Sequence, residues 1–348
     1  MSLNFQDTLK KAEAGDIDAQ FAIATAFFEG EEIAEDYAQA INWFRKAAES
    51  GHAESAYMLG RMCLRGMGLK EDPREAAKLF TKALAHGLES WQVGYDSWCV
   101  GDAYYFGRSG VAIDYAEAFR WYRVAADAGV QDCMVKVGMM YAAGEGVLKD
   151  DAEAARWYRK AANLGEWDGW YKLGMCYKDG VGVERDSREA EKWLLLAALK
   201  NHEDAQYALG LMLVAGDAVE DNGCDERYWF RQAGKRGHVL AQLELADSLY
   251  AAESYTEAFS WYHMAADQGH SMAQYLLGAR YYFGEGVPRN KINAYVYWSL
   301  AGLVEDARAK LVVLEKEMTV KQLAVGKRRI IRLQKVIALK PAAKRAGE

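Results

Sequence analysis

Apolar and small residues recur along the chain at spacings that fit one face of an α-helix. Eight times, Ala or Gly follows Ile, Leu or Val and precedes, by three positions, an aromatic residue, Leu or Cys. The small residues are Ala24, Gly60, Gly101, Gly138, Gly174, Gly210, Ala246 and Gly278. Positions −1 and +3 about each small residue share one side of a helix. The pattern therefore predicts the buried face of a first helix, helix A, in each of eight units.

A second pattern predicts helix B of each unit. Its positions are Trp43, Leu79, Trp121, Trp157, Trp193, Trp229, Trp261 and Tyr297, and Ala follows each by four residues. Five of the seven successive spacings are 36 residues, and the other two are 42 and 32. A period of this length is typical of tandem helical repeats, in which each repeat buries its apolar side against its neighbours. We expect the Trp side chains to lie in that core.

Residues that cap helices stand at constant distances from the Trp positions. Seven residues before them lie Asp36, Asp72, Asp114, Asp150, Asp186, Asn222, Ser254 and Asn290. Such side chains accept hydrogen bonds from the first free N–H groups of a helix. Gln39, Glu75, Glu117, Glu153, Glu189 and Glu257 follow by three, which predicts a reciprocal capping box in six repeats. Six of the B helices are followed by Gly, typical of a helix C-terminus: Gly51, Gly87, Gly129, Gly165, Gly237 and Gly269.

Two repeats depart from the common length. The third has five extra residues before its Gly, within residues 88–98, a segment with two Trp and one Tyr. These residues form either a recognition element or an extended start of helix A that fills a gap. The seventh is four residues shorter, so its helices must join more tightly.

Residues 133–165 resemble the Sel1-like repeat family, which is related to the tetratricopeptide repeat. The match includes Val137-Gly138, Tyr141, Gly144-x-Gly146-Val147, Asp150 and Trp157, followed by Lys160-Ala161-Ala162 and Gly165. The Gly-x-Gly turn recurs between A and B helices, and no strand precedes it as a dinucleotide-binding motif requires. The resemblance implies an all-α, right-handed superhelical solenoid of about eight helix–turn–helix repeats. It also implies an adaptor or regulatory role, commonly in bacteria.

The expected organisation has three parts. Residues 1–15 contain a capping helix over Phe5–Ala14, residues 16–303 the eight repeats, and residues 304–348 basic capping helices. Residues 316–348 carry a net charge of +8, against −7 for the whole chain. Thr319 and Gln322 predict a capping box for the last helix, on which Ile330, Leu333, Val336 and Ile337 form an apolar stripe.

No residue pattern indicates catalysis, a metal site or a cofactor. Five cysteines lie in five different repeats without Cys-x-x-Cys spacing, which favours reduced thiols. Five of the six histidines recur near the C-termini of the B helices, where they indicate a structural role, and no nucleophile motif is present. No segment has the apolar length of a signal peptide or a transmembrane helix. A cytoplasmic location is therefore expected, with export possible only if a signal peptide has been removed.

The expected function is non-catalytic: a scaffold that binds a protein or peptide on a concave surface formed by the A helices. Residues facing away from the buried stripe are the candidates: Trp98, Tyr105, Met139, Tyr171, Met175, Lys178, Leu211, Tyr250 and Tyr282. No small-molecule substrate is expected. A first alternative is binding of nucleic acid or an anionic membrane surface through Lys327, Arg328, Arg329, Arg332 and Lys335. The negative charge of the repeats argues against nucleic acid. A second alternative, a cell-wall-related enzyme, lacks any serine acylation motif.

Overall fold

The computed structural model describes residues 5–30, 33–217, 224–302 and 304–346, with side chains up to residue 338. Every regular element in these ranges is an α-helix, which confirms the predicted all-α array of repeats. The chain forms two compact units, residues 1–185 and 186–348.

The first unit contains ten helices in the described ranges. They are α1 (Phe5–Glu13), α2 (Ile17–Glu29), α3 (Tyr37–Glu49), α4 (Ala53–Arg65), α5 (Pro73–Ala85), α6 (Ser90–Phe106), α7 (Tyr115–Asp127), α8 (Gln131–Ala143), α9 (Asp151–Asn163) and α10 (Trp167–Asp179). The helix α1 packs its Phe5 and Leu9 against the core of the first repeat. From α2 onward, even-numbered helices are A helices and odd-numbered helices are B helices.

The second unit contains nine helices in the described ranges. They are α11 (Ser187–Leu199), α12 (Glu203–Ala215), α13 (Glu226–Lys235), α14 (Val239–Ala251), α15 (Tyr255–Asp267), α16 (Ser271–Phe283), α17 (Lys291–Leu300), α18 (Glu305–Glu317) and α19 (Val320–Ala346). The A and B alternation continues to α17. The last two helices, α18 and α19, follow the eighth repeat.

In five repeats the small residue of helix A is a glycine that lies in close contact with a ring of helix B. A Cβ atom added to Gly138 would lie 2.5 Å from the ring of Tyr158, and one added to Gly278 would lie 2.4 Å from that of Trp298. These rings stand one position after the predicted Trp register. The residues at this following position are buried in all eight repeats: Phe44, Phe80, Tyr122, Tyr158, Leu194, Phe230, Tyr262 and Trp298. The repeat core therefore contains two adjacent layers of large side chains, of which the sequence pattern indicated only one.

The predicted capping residues open most B helices. The Asp150 side chain accepts a hydrogen bond from the backbone N–H of Glu153 at 2.9 Å, and Asp36, Asp72, Asp114, Asp186 and Asn290 act in the same way. Ser254 makes no such side-chain bond. Asn222 lies outside the described residues, and α13 begins three residues later than predicted, capped by Asp225.

One of the two hydrogen bonds in the predicted capping boxes is wrong: the backbone N–H of the capping residue does not donate to the Glu or Gln side chain three residues later. The backbone N–H of Asp150 donates to the carbonyl of Tyr141 in helix A at 3.0 Å. The N–H groups of Asp36, Asp72, Asp114 and Asn290 bond in the same way to Phe27, Cys63, Tyr104 and Tyr281. Four of the Glu side chains pair instead with cations of their own helix, as Glu75 does with Lys78, and Glu257 pairs with Arg231 of α13. A box forms at Thr319 and Gln322 as predicted, and another at Glu89 and Gln92.

Four of the recurring histidines begin A helices and do not end B helices, contrary to the sequence interpretation. His52, His202, His238 and His270 are N-cap residues of α4, α12, α14 and α16, and each Nδ1 atom accepts a backbone N–H. Only His86 caps the C-terminus of a B helix, α5. An acceptor Nδ1 requires a neutral ring, because the imidazolium has only donors.

The His238 cap is expected to make stability depend on pH. Burial lowers the pKa of His238 below its ordinary value, although the nearby Asp204 and Glu203 oppose this shift. The unfolded chain therefore takes up the proton first. The stabilisation is fully present above the unfolded pKa of about 6.5 and is lost as pH falls through and below that value. Protonation also removes the cap, which contributes about 1 kcal/mol.

Urea unfolding between pH 5 and pH 8 measures this effect. The His238→Asn variant keeps a cap acceptor that does not titrate, so it should lose less stability on acidification than the original chain. His86→Asn is the matched control, since His86 caps no helix N-terminus. An equal pH dependence in the original chain and in His238→Asn would contradict the assignment.

The third repeat has a longer A helix and the seventh a shorter connection between its helices, in agreement with their lengths in the sequence. The helix α6 has 17 residues, four more than the other A helices. Its extension buries Val93 and Gly94 but exposes Trp91 and Tyr95. In the seventh repeat three residues connect α14 and α15, which confirms the tighter junction.

The last two helices pack on the end of the eighth repeat. Leu323 and Ile330 of α19 and Leu314 of α18 join the cluster around Tyr295 and Trp298. Gly326 lets α19 approach closely, because an added Cβ atom would lie 2.6 Å from the Tyr295 ring. Leu333 and Ile337 of the predicted stripe are half-buried, whereas Val336 is exposed.

Candidate functional site

The nine candidate residues all lie on A helices, on the side away from the buried −1 and +3 positions, which we call the A-helix face. Met139 is the only one of the nine that is exposed, with 45% of its surface accessible. The other eight are half-buried. Position on the helix alone therefore overestimated how many of these side chains are exposed to solvent.

Three of the tyrosines bond to the next helix pair. The Tyr105 hydroxyl donates to Glu145 Oε2 at 2.9 Å, and that of Tyr250 donates to Glu285 Oε2 at 3.1 Å. Both glutamates lie in the Gly-x-Gly turn of the following repeat. The Tyr282 hydroxyl donates to Glu317 of α18 at 3.2 Å. These hydroxyls hold successive helix pairs together.

The remaining candidates have local partners. Trp98 packs edge-on against Tyr95, with ring centroids 5.7 Å apart. Lys178 pairs with Asp179 at 2.7 Å, so its charge is compensated. Leu211 packs against the core of repeats six to eight. Tyr171 and Met175 lie half-buried on α10.

Tyr105 and Met139 are brought together at a cavity of about 150 Å³ between α6 and α8. Its other walls are Phe106, Tyr122, Lys136 and Met140. The Lys136 Nζ atom lies 3.5 Å from Asp102 Oδ1, and Asp102 also accepts the Tyr122 hydroxyl at 2.7 Å. Burial, the hydrogen bond to Asp102 and its charge raise the pKa of Tyr122 far above its ordinary value, so this hydroxyl stays a donor. The cavity is mainly apolar and aromatic.

The nine candidates do not include the most exposed aromatic residues of α6, although residues 88–98 were interpreted as either a recognition element or an extended start of helix A. Trp91 is 68% exposed, Tyr95 62% and Phe106 47%. The spacing of Trp91, Tyr95 and Trp98 places them along one side of the helix, which leads towards the cavity. The five extra residues were a signal for this surface, but length alone did not show which of their side chains are exposed.

The five basic residues of the C-terminal candidate patch are all exposed on α19. Arg329 donates to Asn293 Oδ1 of α17 at 2.7 Å, and Arg328 donates to the carbonyl of Ala324 in its own helix. No acidic residue occurs between Met318 and Ala338. The charged side chains exposed on this part of α19 are therefore all positive.

No group of three or more His, Cys, Asp and Glu side chains within the described ranges could hold a metal ion. No helix among those described combines the length and the apolar character needed to cross a membrane.

The fold defines a class of helical repeat proteins, and comparison with known families identifies which one. The Sel1 repeat matches nine segments: 17–52, 53–88, 100–130, 131–166, 171–202, 203–223, 227–238, 240–270 and 271–303. The segments 203–223 and 227–238 fall on α12 and α13, the helices of one repeat. These matches cover most of the chain, which belongs to the Sel1 repeat family. Membership indicates, in general terms, a scaffold for protein interactions.

The chain is also similar to several individual proteins. A Sel1 repeat protein from Oxalobacter formigenes has 28% identity and a TM-score of 0.67, over 90% of this chain and 91% of that one. A protective antigen of uropathogenic Escherichia coli has 24% identity and a TM-score of 0.49, over 99% and 97%. An exopolysaccharide production negative regulator from Rhizobium leguminosarum bv. viciae is 31% identical over 115 residues, 31% of this chain and 43% of the regulator. The match therefore spans less than half of that regulator.

Proposed function

We propose that this protein is a non-catalytic adaptor that binds a partner protein or peptide on its A-helix face. The exposed apolar side chains there, Trp91, Tyr95, Phe106 and Met139, carry the proposal. Exposed apolar surface often marks a binding site, and aromatic residues contribute most to protein interfaces. Methionine adapts its shape to different partner surfaces. A regulatory role is consistent with the function of the Rhizobium relative.

Replacing Trp91, Tyr95 and Met139 together with serine should reduce partner capture strongly while leaving the fold intact. All three side chains are exposed, so we expect little change in stability. Capture by the immobilised protein, followed by mass spectrometry, measures binding, and thermal unfolding monitors the fold.

The matched control replaces three exposed leucines outside the A helices, Leu148, Leu164 and Leu199, with serine. It removes a similar number of apolar side chains from other surfaces. Partners bound by the original chain and by the control, but lost with the A-helix variant, support the proposal. Equal capture by all three proteins would place the interaction elsewhere.

A second candidate function is binding of an anionic surface, nucleic acid or membrane, by the outer side of α19. The exposed cations of this helix, with no acidic residue among them, favour it. The apolar side of the same helix covers the eighth repeat, so one helix would serve both purposes. Such binding would weaken with salt because it depends on charge.

Changing Lys327, Arg332 and Lys335 to glutamate should remove binding of an anionic surface while α19 still covers the eighth repeat. These side chains are exposed, so stability should change by less than about 0.5 kcal/mol. Binding to duplex DNA or to phosphatidylserine vesicles at low salt should be lost. Deleting residues 320–348 should instead lower the melting temperature by uncovering Tyr295 and Trp298. Unchanged binding by the charge variant would rule out this function.

A further inference from the structure

The same cluster of side chains occurs twice in the chain, once in each compact unit. The first tyrosine cluster contains Asp102, Tyr105, Tyr115, Tyr122 and Glu145, and the second contains Asp247, Tyr250, Tyr255, Tyr262 and Glu285. The members occupy equivalent positions in repeats three and four and in repeats seven and eight. This duplication allows one cluster to be compared with the other.

The two clusters have nearly identical internal contacts. The rings of Tyr105 and Tyr115 are 5.2 Å apart at 62°, and those of Tyr250 and Tyr255 are 5.1 Å apart at 60°. In both, the first tyrosine donates to the turn glutamate, as described above. In both, the B-helix tyrosine donates to the aspartate, Tyr122 to Asp102 and Tyr262 to Asp247. The surroundings of the glutamates are therefore built in the same way.

The second cluster is filled by an arginine of the protein itself. The guanidinium carbon of Arg280 lies 3.7 Å from the ring centroid of Tyr250, and the guanidinium pairs with Glu285. The side chain is only 11% exposed. A stacked, paired and largely buried guanidinium is a favourable arrangement, because the ring and the carboxylate both attract the cation.

The first cluster lacks this arginine. The equivalent position holds Met140, and the cavity of about 150 Å³ opens beside it, next to Tyr105. Among the described residues, no basic side chain lies within 4.0 Å of the Glu145 carboxylate, whose side-chain partner is the Tyr105 hydroxyl. The first cluster thus has the ring and the carboxylate of the second, but not its guanidinium.

Lys136 does not replace the missing guanidinium. Its Nζ atom pairs with Asp102 and lies 5.1 Å from the Tyr122 ring centroid. It therefore compensates the aspartate and leaves Glu145 without a cation. Asp102, Glu145 and Lys136 of the first tyrosine cluster together carry a net charge of −1.

We propose that this cavity binds the guanidinium group of an arginine side chain supplied by a partner protein. The guanidinium would stack on Tyr105 and pair with Glu145, as Arg280 does with Tyr250 and Glu285. The aliphatic part of the incoming side chain would lie against Phe106 and Met139. Arginine is favoured over lysine because its planar group stacks on rings and donates two parallel hydrogen bonds to a carboxylate. This inference rests on the proposed function, since it names what the A-helix face recognises.

A peptide titration of the full chain tests the proposal. The probe is acetyl-Gly-Gly-Arg-Gly-Gly-amide, compared with the same peptide carrying lysine or uncharged citrulline. NMR of ¹³C-labelled methionine methyl groups reports on Met139 and Met140, which line the cavity. The arginine peptide should shift both signals in a saturable manner, and citrulline should not. Glu145→Gln should raise the Kd at least about tenfold, because a hydrogen bond to a charged group is lost.

Two reciprocal variants use the duplication as a control. Met140→Arg should fill the cavity from within, as Arg280 fills the second cluster, and abolish peptide binding. Arg280→Met should open the second cluster and create a second site of similar affinity. If either variant does not fold, Glu145→Gln in the exposed turn decides the matter.

Each outcome has one meaning. Equal shifts with arginine and citrulline, or none with arginine, would overturn the inference. In that case, partner capture that still depends on Trp91, Tyr95 and Met139 would leave the proposed function standing. Capture that ignores those residues would overturn the proposed function itself, whatever the peptide does.

Discussion

Replacing Trp157 with alanine is expected to lower the free energy of unfolding by about 3–5 kcal/mol. The side chain is 4% exposed and belongs to the layer of Trp residues in the repeat core. Alanine would remove the largest apolar side chain and leave a cavity that the rigid helix pairs cannot close. Urea or thermal unfolding measures the loss.

Trp167 provides the matched control for this experiment. It lies at the first position of α10 and is exposed, so Trp167→Ala removes the same atoms without opening a core cavity. We expect its effect to stay within about 0.5 kcal/mol. Similar stability losses in the two variants would mean that Trp157 is not a core residue.

Replacing Gly146 with alanine should cost about 2–5 kcal/mol, the sum of backbone strain and overpacking. Gly146 is the second glycine of a Gly-x-Gly turn and has a φ of 69°. An added Cβ atom would lie 2.1 Å from the carbonyl oxygen of Tyr115, in the B helix of the preceding repeat. Backbone atoms cannot rotate away as a side chain can, so two repeats would have to separate.

Gly144→Ala is the control that isolates the strain. Gly144 has a similar φ of 73°, but an added Cβ atom would lie 3.3 Å from its nearest neighbour, Lys149 Cβ. Only the backbone cost of about 1–2 kcal/mol is then expected. If both variants lose the same stability in urea unfolding, the close approach of the turn to Tyr115 contributes nothing.

Local features of the fold were predictable because neighbouring residues determine them. The Asp150 cap follows from one side chain and the N–H groups next to it. The layer that contains Tyr158 was missed, since its residue type varies between repeats and its contact with Gly138 joins two helices. The histidine caps were missed because histidine is not a residue that N-cap rules favour.

The candidate site was less predictable than the fold for a related reason. A helical wheel shows which way Tyr105 points from its own helix but not what the following repeat places opposite it. Glu145, 40 positions later, accepts its hydroxyl. The cavity beside Met139 also depends on the size of Met140, whose equivalent in the second cluster is an arginine.

The hydrogen bond from the N–H of a B-helix capping residue to helix A of the same repeat affects how the chain can change in length. The N–H of Asp150 donates to the carbonyl of Tyr141, and that of Asp72 donates to the carbonyl of Cys63. Each of these hydrogen bonds therefore begins and ends inside one repeat. Losing or duplicating a complete repeat would leave these hydrogen bonds in all the other repeats unbroken. Each remaining repeat would still present a similar packing surface to its new neighbour. The array can therefore grow or shrink in evolution by whole units of 36 residues, and an engineered protein shortened by one internal repeat should still fold.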